Sequence, residues 1–262
     1  MTARQYLRPQ WPAVSGVGAA FTLRAGGVSV APHESFNLAT HVGDAPDAVR
    51  RNRDLLQRDL ALPAEPLWLE QIHGSDVLDT DLAAGAAAGA VARADGAVTR
   101  RPGVVLAVLV ADCLPVLFAA RDGSAVAVAH AGWRGLAAGI LERTVQALTG
   151  RGTLQAWIGP SISSAHFEVG EEVRTALLAH DSVAHEPAAE AAFAVNARGR
   201  WQCDLQALAR ARLAALGVGD VYVDGHCSFA QPQRFFSHRR DGPTGRMAAL
   251  IWLHAVQYQS LD

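Results

Sequence analysis

Two apolar runs joined by an Asp-Gly step constrain this chain more than any other stretch: residues 103–136 read GVVLAVLVADCLPVLFAARDGSAVAVAHAGWRGL. An Asp-Gly pair between β-rich runs is a hairpin signal, because glycine accepts the positive φ that tight hairpin turns demand. A two-residue loop at Asp122-Gly123 sets Cys113 opposite Gly132. His130 lies two residues from that partner and so shares a face with Cys113 on the diagonal, within reach of a common ligand or a thiol–imidazole contact. A slip of one residue in the turn would separate them. A second reading stays open on the residues alone, since cysteine is commonly buried as a small hydrophobe and a histidine in an apolar strand is commonly a satisfied core residue.

The chain is long enough to bury a large core around that hairpin, with 262 residues of which 50% are hydrophobic. No internal repeat or linker divides it, which predicts a single domain over residues 1–262. A formal charge of −2 without a basic run gives no footprint for nucleic acid or a membrane surface. The N-terminus lacks the charged-then-apolar design of a signal peptide, and the most apolar stretch carries Asp112 and Pro115 at its centre, so a soluble cytoplasmic protein is expected. Cys113, Cys203 and Cys227 make no even disulfide framework, which fits a reducing compartment. All 23 basic residues are arginine, which excludes Schiff-base chemistry on lysine and a P-loop.

Periodicity and punctuation place the remaining elements. Asp44 followed by Pro46 reads as a helix start, with Asp44 as N-cap and Val49, Leu55, Leu56 and Leu60 on the apolar face. Residues 67–72 read as a strand ending at His73-Gly74, residues 82–93 as a surface loop, and Asp95-Gly96 as a turn into a short strand. Helices are expected over 136–148, 170–180 and, capped by Asp204, 205–216; strands over 153–158, 221–223 and 247–253. Residues 181–200, rich in alanine and glutamate without a period, are expected to be a mobile insertion. The pattern predicts an α/β fold, layered, with mixed and largely antiparallel sheets and flanking helices.

Three borderline or soft ligands fall at turn or strand ends: His73, Cys113 and His130. Such a set suits Zn²⁺ and leaves one tetrahedral position open, as a catalytic zinc requires, although the spacing matches no compact zinc-finger pattern. Arg239 and Arg240, with Arg246 nearby and Gly242 and Gly245 around them, can bind phosphate; a solvated loop is the plainer alternative. Asp95 and Asp112 are the carboxylates nearest the centre. Asp112 sits inside an apolar run, where a buried carboxylate needs a partner or a task.

Seven segments in order, NLATHVGD (37–44), WLEQIHGSDV (68–77), ADGAVT (94–99), VADCLPVLF (110–118), HAGWRG (130–135), IGPSISSAHFEVGEEV (158–173) and FFSHRRDGPTGRMAALIWL (235–253), resemble the signatures of one family. It is the laccase-like multicopper polyphenol oxidase family, now regarded as purine nucleoside phosphorylase, with bacterial members also labelled peptidoglycan editing factors. The resemblance implies a layered domain similar to the cysteine-deamidase-like fold, and zinc held by His73, Cys113 and His130, with copper as the alternative metal. It implies phosphorolysis of adenosine, inosine, guanosine and methylthioadenosine, together with adenosine deamination. Where the family often carries a cysteine after its IGP motif, this chain has Ser161, so that position is no obligatory ligand.

By chemistry, Arg134, Arg239 and Arg240 are then the candidates for phosphate, Asn37, His41 and Gln71 for the nucleoside, and Asp112 for acid–base work beside Cys113 and His130. A monomer acting on small molecules is expected. Three rivals stand beside this reading. Copper oxidation of phenols calls for clustered histidines, and none of the ten here forms a His-x-His pair. A metal-free amidase would use Cys113 activated by His130. A non-enzymatic editing factor would bind without turnover.

Overall fold

The computed structural model describes residues 6–82, 91–180 and 187–255. In chain order these form β1 (Tyr6–Leu7), β2 (Val17–Thr22), α1 (Pro46–Asp59), β3 (Val77–Asp79), β4 (Gly96–Thr99), β5 (Val105–Val110), β6 (Leu114–Ala120) and β7 (Val126–Ala131). There follow α2 (Trp133–Ala137), α3 (Ile140–Ala147), β8 (Leu154–Ile158), β9 (Glu168–Val169), α4 (Glu171–Leu178) and α5 (Pro187–Glu190). The chain closes with β10 (Phe193–Val195), β11 (Trp201–Cys203), α6 (Leu205–Ala215), β12 (Asp220–Val223), α7 (His238–Asp241) and β13 (Met247–Leu253).

Every residue of β5, β6, β7 and β13 is buried because two sheets stack face to face and helices cover both outer faces. The six-stranded sheet runs β12-β8-β6-β7-β4-β3, and the four-stranded sheet β1-β2-β13-β5. Alternation along β6 and β7 divides the core. Leu117, Val126 and Val128 meet Leu106, Val108 and Ile251 of the other sheet, while Val116, Phe118 and Ala129 meet Leu136, Ile140 and Leu208 of the helices. The far face of the four-stranded sheet, with Ala20, Leu109 and Leu250, packs on Leu56 of α1. The fold is thus α/β, with an antiparallel four-stranded sheet and a six-stranded sheet that is mixed because β3–β4 and β8–β12 pair in parallel. Strands buried on both faces lose the apolar–polar alternation and read as continuous apolar runs.

The hairpin register is the expected one, with Leu114 opposite Ala131 and Pro115 opposite His130. The turn is longer than two residues. Ala120 N–H donates to Ala125 O, Gly123 N–H to Ala120 O, and Asp122 Oδ1 accepts from Ser124 N, so residues 121–124 close the loop around Gly123 at φ 72°. The Asx contact of Asp122 stabilises this wider turn without shifting the pairing.

Four expectations change. Asp44 does not cap α1: the N-cap is Ala45, and Asp44 instead accepts from Ala45 N and Asn37 Nδ2. Residues 67–72 make only isolated bridges, Leu67 to Leu106 and Glu70 to Arg93, because the segment crosses from one sheet to the other. The helix expected over 136–148 is two helices, broken at Gly139 with φ 85°. The expected mobile insertion folds from residue 187 onward into α5 and a hairpin of β10 and β11, which extends onto β9 and is held by Phe193 edge-on to Trp201. Its alanines and charges hid a pairing whose template lies in a distant segment. Residues 181–186, and 83–90 of the expected surface loop, lie outside the described residues.

Candidate metal centre and its cavity

Cys113 and His130 reach a common point through the hairpin. His130 lies on the same strand face as the inter-sheet residues Val128 and Val126, and Cys113, one residue before β6, packs against the same inter-sheet core. Opposite Cys113 the chain needs a glycine: a Cβ at Gly132 would lie 2.9 Å from Cys113 Sγ. His73 arrives from the segment that crosses between the sheets and holds φ 58°. Its ring meets that of His130 edge-on at 4.8 Å between centroids. The ligand atoms of His73, Cys113 and His130 all lie within 4.8 Å of one another, the one such group among the described residues. Two imidazoles and a thiol gathered this closely fit a borderline divalent ion such as Zn²⁺, with the remaining side facing a cavity.

Cys113 and His130 strongly perturb one another. Burial works against charge on Cys113, but the His130 charge and hydrogen bonds from His130 and His73 outweigh it and bring the thiol down to about 6. Burial likewise opposes charging of His130, yet Cys113 and Asp95 carry it up to about 9. His130 Nδ1 lies 2.8 Å from Asp95 Oδ1, so the ring's other nitrogen is the one left for Cys113 and a metal.

The cavity beyond the trio holds about 320 Å³ and is walled by His41, Gln71, Leu109, Arg134, His238 and Arg246. That is the lower end of the range for small-molecule sites. A larger groove of about 730 Å³ around Trp68, Leu78 and Val104 contains none of the three ligands. Size alone therefore does not locate the chemistry.

His41, Gln71 and Arg134 are in the cavity wall. Gln71, however, spends its amide on the backbone of Leu109, accepting from its N–H at 2.7 Å and donating to its carbonyl at 2.9 Å. Asn37 is fully buried and equally committed: Oδ1 accepts from Ala39 N and Arg246 N, and Nδ2 donates to Ala39 O and Asp44. It latches the loop bearing His41 to the strand entered by Arg246. Asp112, at φ 87°, accepts from Ser228 Oγ at 2.6 Å and Arg239 N at 2.7 Å, so both its oxygens anchor the 228–239 segment.

Arg239 and Arg240 do not wall the cavity. Arg239 donates to Glu168 O and lies over Phe167, and Arg240 donates to the carbonyls of Ser228, Phe229 and Phe235 and pairs with Asp241. Arg246 and His238 take their place, and neither stood in the set chosen for substrate from residue types. Burial lowers the Arg246 pKa against the opposing pull of Cys113 and Asp112. His41 is lowered by burial, then by Arg246, Arg53 and His73. Two signals in the sequence mark Arg246: its closeness to Arg239 and Arg240 among glycines, and its place immediately before an all-apolar strand, which plants it at a sheet end.

The family model described as multi-copper polyphenol oxidoreductase laccase matches residues 18–254. The chain is 47% identical over 246 residues to purine nucleoside phosphorylase YfiH of Escherichia coli, covering 94% of this chain and 97% of that one. It is 49% identical over 251 residues to a purine nucleoside phosphorylase of Xylella fastidiosa, covering 93% and 95%. Among solved structures, Neisseria meningitidis protein NMB0706 superposes with a TM-score of 0.86 at 45% identity, covering 95% of this chain and 99% of that one. YlmD from Geobacillus stearothermophilus gives 0.87 at 35% identity, covering 97% and 98%. Matched by the family model over residues 18–254 and by relatives over nearly its whole length, the chain belongs to the laccase-like multicopper polyphenol oxidoreductase family.

Proposed function

We propose that this chain is a zinc-dependent purine nucleoside phosphorylase, acting on adenosine, inosine, guanosine and methylthioadenosine and deaminating adenosine as a second activity. The carrying observation is a His-Cys-His ligand group opening on a cavity lined by two arginines and two further histidines. Relatives named purine nucleoside phosphorylase over nearly the full length support the substrate class. A zinc ion held by His73, Cys113 and His130 would supply Lewis-acid polarisation.

The chain's own residues account for the rest. In phosphorolysis a phosphate oxygen bonds to C1′ of the ribose as the C–N bond to the purine breaks, and the departing base takes up a proton. Arg246 and Arg134 supply positive charge to hold the dianion and to stabilise it in the transition state. Arg134 is exposed and stacks on Trp133, so it stands at the mouth, whereas Arg246 is half-buried and donates to Thr244 O and Gly245 O, which fixes its plane. His41, biased toward the neutral form by burial and its cationic neighbours, accepts a hydroxyl proton from phosphate or ribose. His238 Nδ1 lies 2.8 Å from Gly242 O, which leaves Nε2 to exchange a proton with the base. Asp112 serves as an anchor in this scheme. Copper would bind the same donors more tightly than zinc by the usual affinity order, so the metal found in a purified sample depends on supply.

The test is to incubate zinc-replete protein with adenosine, with and without phosphate, and to follow adenine, ribose 1-phosphate and inosine. Adenine with ribose 1-phosphate, formed only when phosphate is present, is expected. Absence of both product sets sinks the proposal. One observation favours a second reading: Asp95, His130 and Cys113 line up as carboxylate, imidazole and thiol, the order of a cysteine-nucleophile triad. Iodoacetamide separates the two, since a metal-bound thiolate is protected until a chelator is added and a catalytic free thiolate is not.

A further inference from the structure

Asp95 has no exposed surface, and its carboxylate is shared between two segments. Oδ1 takes His130 Nδ1–H at 2.8 Å and His73 N–H at 3.0 Å; Oδ2 takes Gly74 N–H at 2.7 Å and Ile72 N–H at 3.1 Å. Its backbone carbonyl accepts from His130 N at 2.7 Å as well. Three successive N–H groups converging on one carboxylate form the concavity that elsewhere binds a free anion. Here the anion is built in. His73, at the centre of that concavity, keeps a left-handed φ that non-glycine residues retain only when the surroundings impose it.

We propose that Asp95 is the positioning residue of the metal centre, one carboxylate setting both nitrogen ligands. Toward His130 it fixes the proton on Nδ1 and the plane of the ring, so that Nε2 presents its lone pair beside Cys113. Toward His73 it works through the backbone, holding the turn from which that ring projects. Partners of this kind orient metal-bound histidines and raise their basicity, but they usually serve one ligand each. A single carboxylate governing two couples them: an amide at position 95 would turn an N–H₂ either against the Ile72 and Gly74 donors or against His130 Nδ1–H. In the latter case His130 would shift its proton to Nε2 and could no longer bind a metal there.

The inference rests on reading His73, Cys113 and His130 as metal ligands, and its test reads metal binding rather than turnover. Full-length protein and its Asp95→Asn variant are stripped with chelator and titrated with Zn²⁺ and Co²⁺ against a chromophoric competitor, well below the melting temperature of each. The variant is expected to bind both ions about 10–100-fold more weakly and to show altered cobalt absorption bands. Equal affinity and unchanged bands in a folded variant overturn the role of Asp95 and leave the metal centre standing; failure of the parent protein to bind either ion overturns both. Should the variant not fold, ¹⁵N shifts of His130 in the zinc-loaded parent decide the matter. Metal on Nε2 with a proton on Nδ1 is expected, and the reverse arrangement refutes the proposal.

Discussion

The metal corner and the 235–246 loop are both dense in reactive side chains, and the fold uses them in opposite ways. At the corner, residues 73, 113 and 130 come from three separate segments, and their ligand atoms gather within 4.8 Å. In the loop, Arg239, Arg240 and Arg246 lie close in sequence, yet only Arg246 walls the cavity. The other two guanidiniums serve backbone carbonyls, Arg239 that of Glu168 in β9 and Arg240 those of Ser228, Phe229 and Phe235. At the corner the β6–β7 pairing satisfies the backbone around Cys113 and His130, and one carboxylate, Asp95, takes the N–H groups of residues 72–74, so the three ligand side chains are left for chemistry. Where an irregular loop packs on neighbouring segments, their carbonyls need donors, and the nearest arginines are recruited for it.

The largest effect that would break this contrast concerns the corner's ion pair. In chelator-treated protein, alkylation of Cys113 by iodoacetamide is expected to be half-maximal near pH 6, against about 9 for an unperturbed thiol. Replacing His130 by alanine should move the midpoint up toward the ordinary thiol value, because His73 alone would then oppose the effect of burial on the thiolate. The signs differ for the two partners. Cys113 is depressed, so its contribution to stability is complete above its unfolded value and lost as pH falls through about 6. His130 is raised, so its contribution is complete below its unfolded value and lost as pH rises through about 9. The charged pair therefore occupies the window between, and a Cys113 midpoint near 9 in the parent protein would show that the corner does not polarise its thiol.

Next in size is the division of labour among the arginines. Arg246→Ala removes a charged hydrogen-bonding partner for phosphate and should raise the KM for phosphate roughly 10–100-fold, the equivalent of about 1.5–3 kcal/mol. Arg239→Ala should leave it within a factor of about two, the size of an ordinary surface substitution. Equal losses in the two variants would place phosphate in the loop rather than the cavity. Arg240→Ala should leave KM alone but lower stability by roughly 2–3 kcal/mol, since it orphans three carbonyls, a change read from the denaturant midpoint.

The same contrast marks what was legible in the sequence. The β6–β7 register followed from Asp122-Gly123 and the apolar runs, and it correctly placed Cys113 across from Gly132, because a period of two permits few alternatives. Residue type makes His73 only a possible third ligand, and the family signature makes it the expected one: it comes from a segment with two isolated bridges, whose path is set by the stacking of the sheets. Asn37 and Gln71 were read by type as substrate contacts, but backbone neighbours 209 and 38 residues away absorb their amides. Such partners have no local mark. The ordered hairpin around Phe193 and Trp201 was missed for a related reason, since its third strand, β9, lies across α4 in the chain.

Asp112 provides the smallest and sharpest test. It neighbours Cys113 in sequence, and residue type alone suggests a proton carrier; its two oxygens instead hold Ser228 Oγ and Arg239 N. Ser228→Ala deletes one of these partners from a site where Ser228 is fully buried, and should cost about 1–2 kcal/mol of stability with kcat unchanged. Asp112→Asn keeps an acceptor for one partner and should also act on the melting temperature, with turnover preserved at temperatures well below it. A proton carrier would behave differently: its loss lowers kcat by about 10²–10⁴-fold and removes a limb of the pH–rate profile while stability barely moves. A kcat collapse in folded Asp112→Asn, with Ser228→Ala unaffected, would return the acid–base role to Asp112. It would also mean that the segment it holds can be anchored by Arg239 N–H alone, freeing one carboxylate oxygen to act.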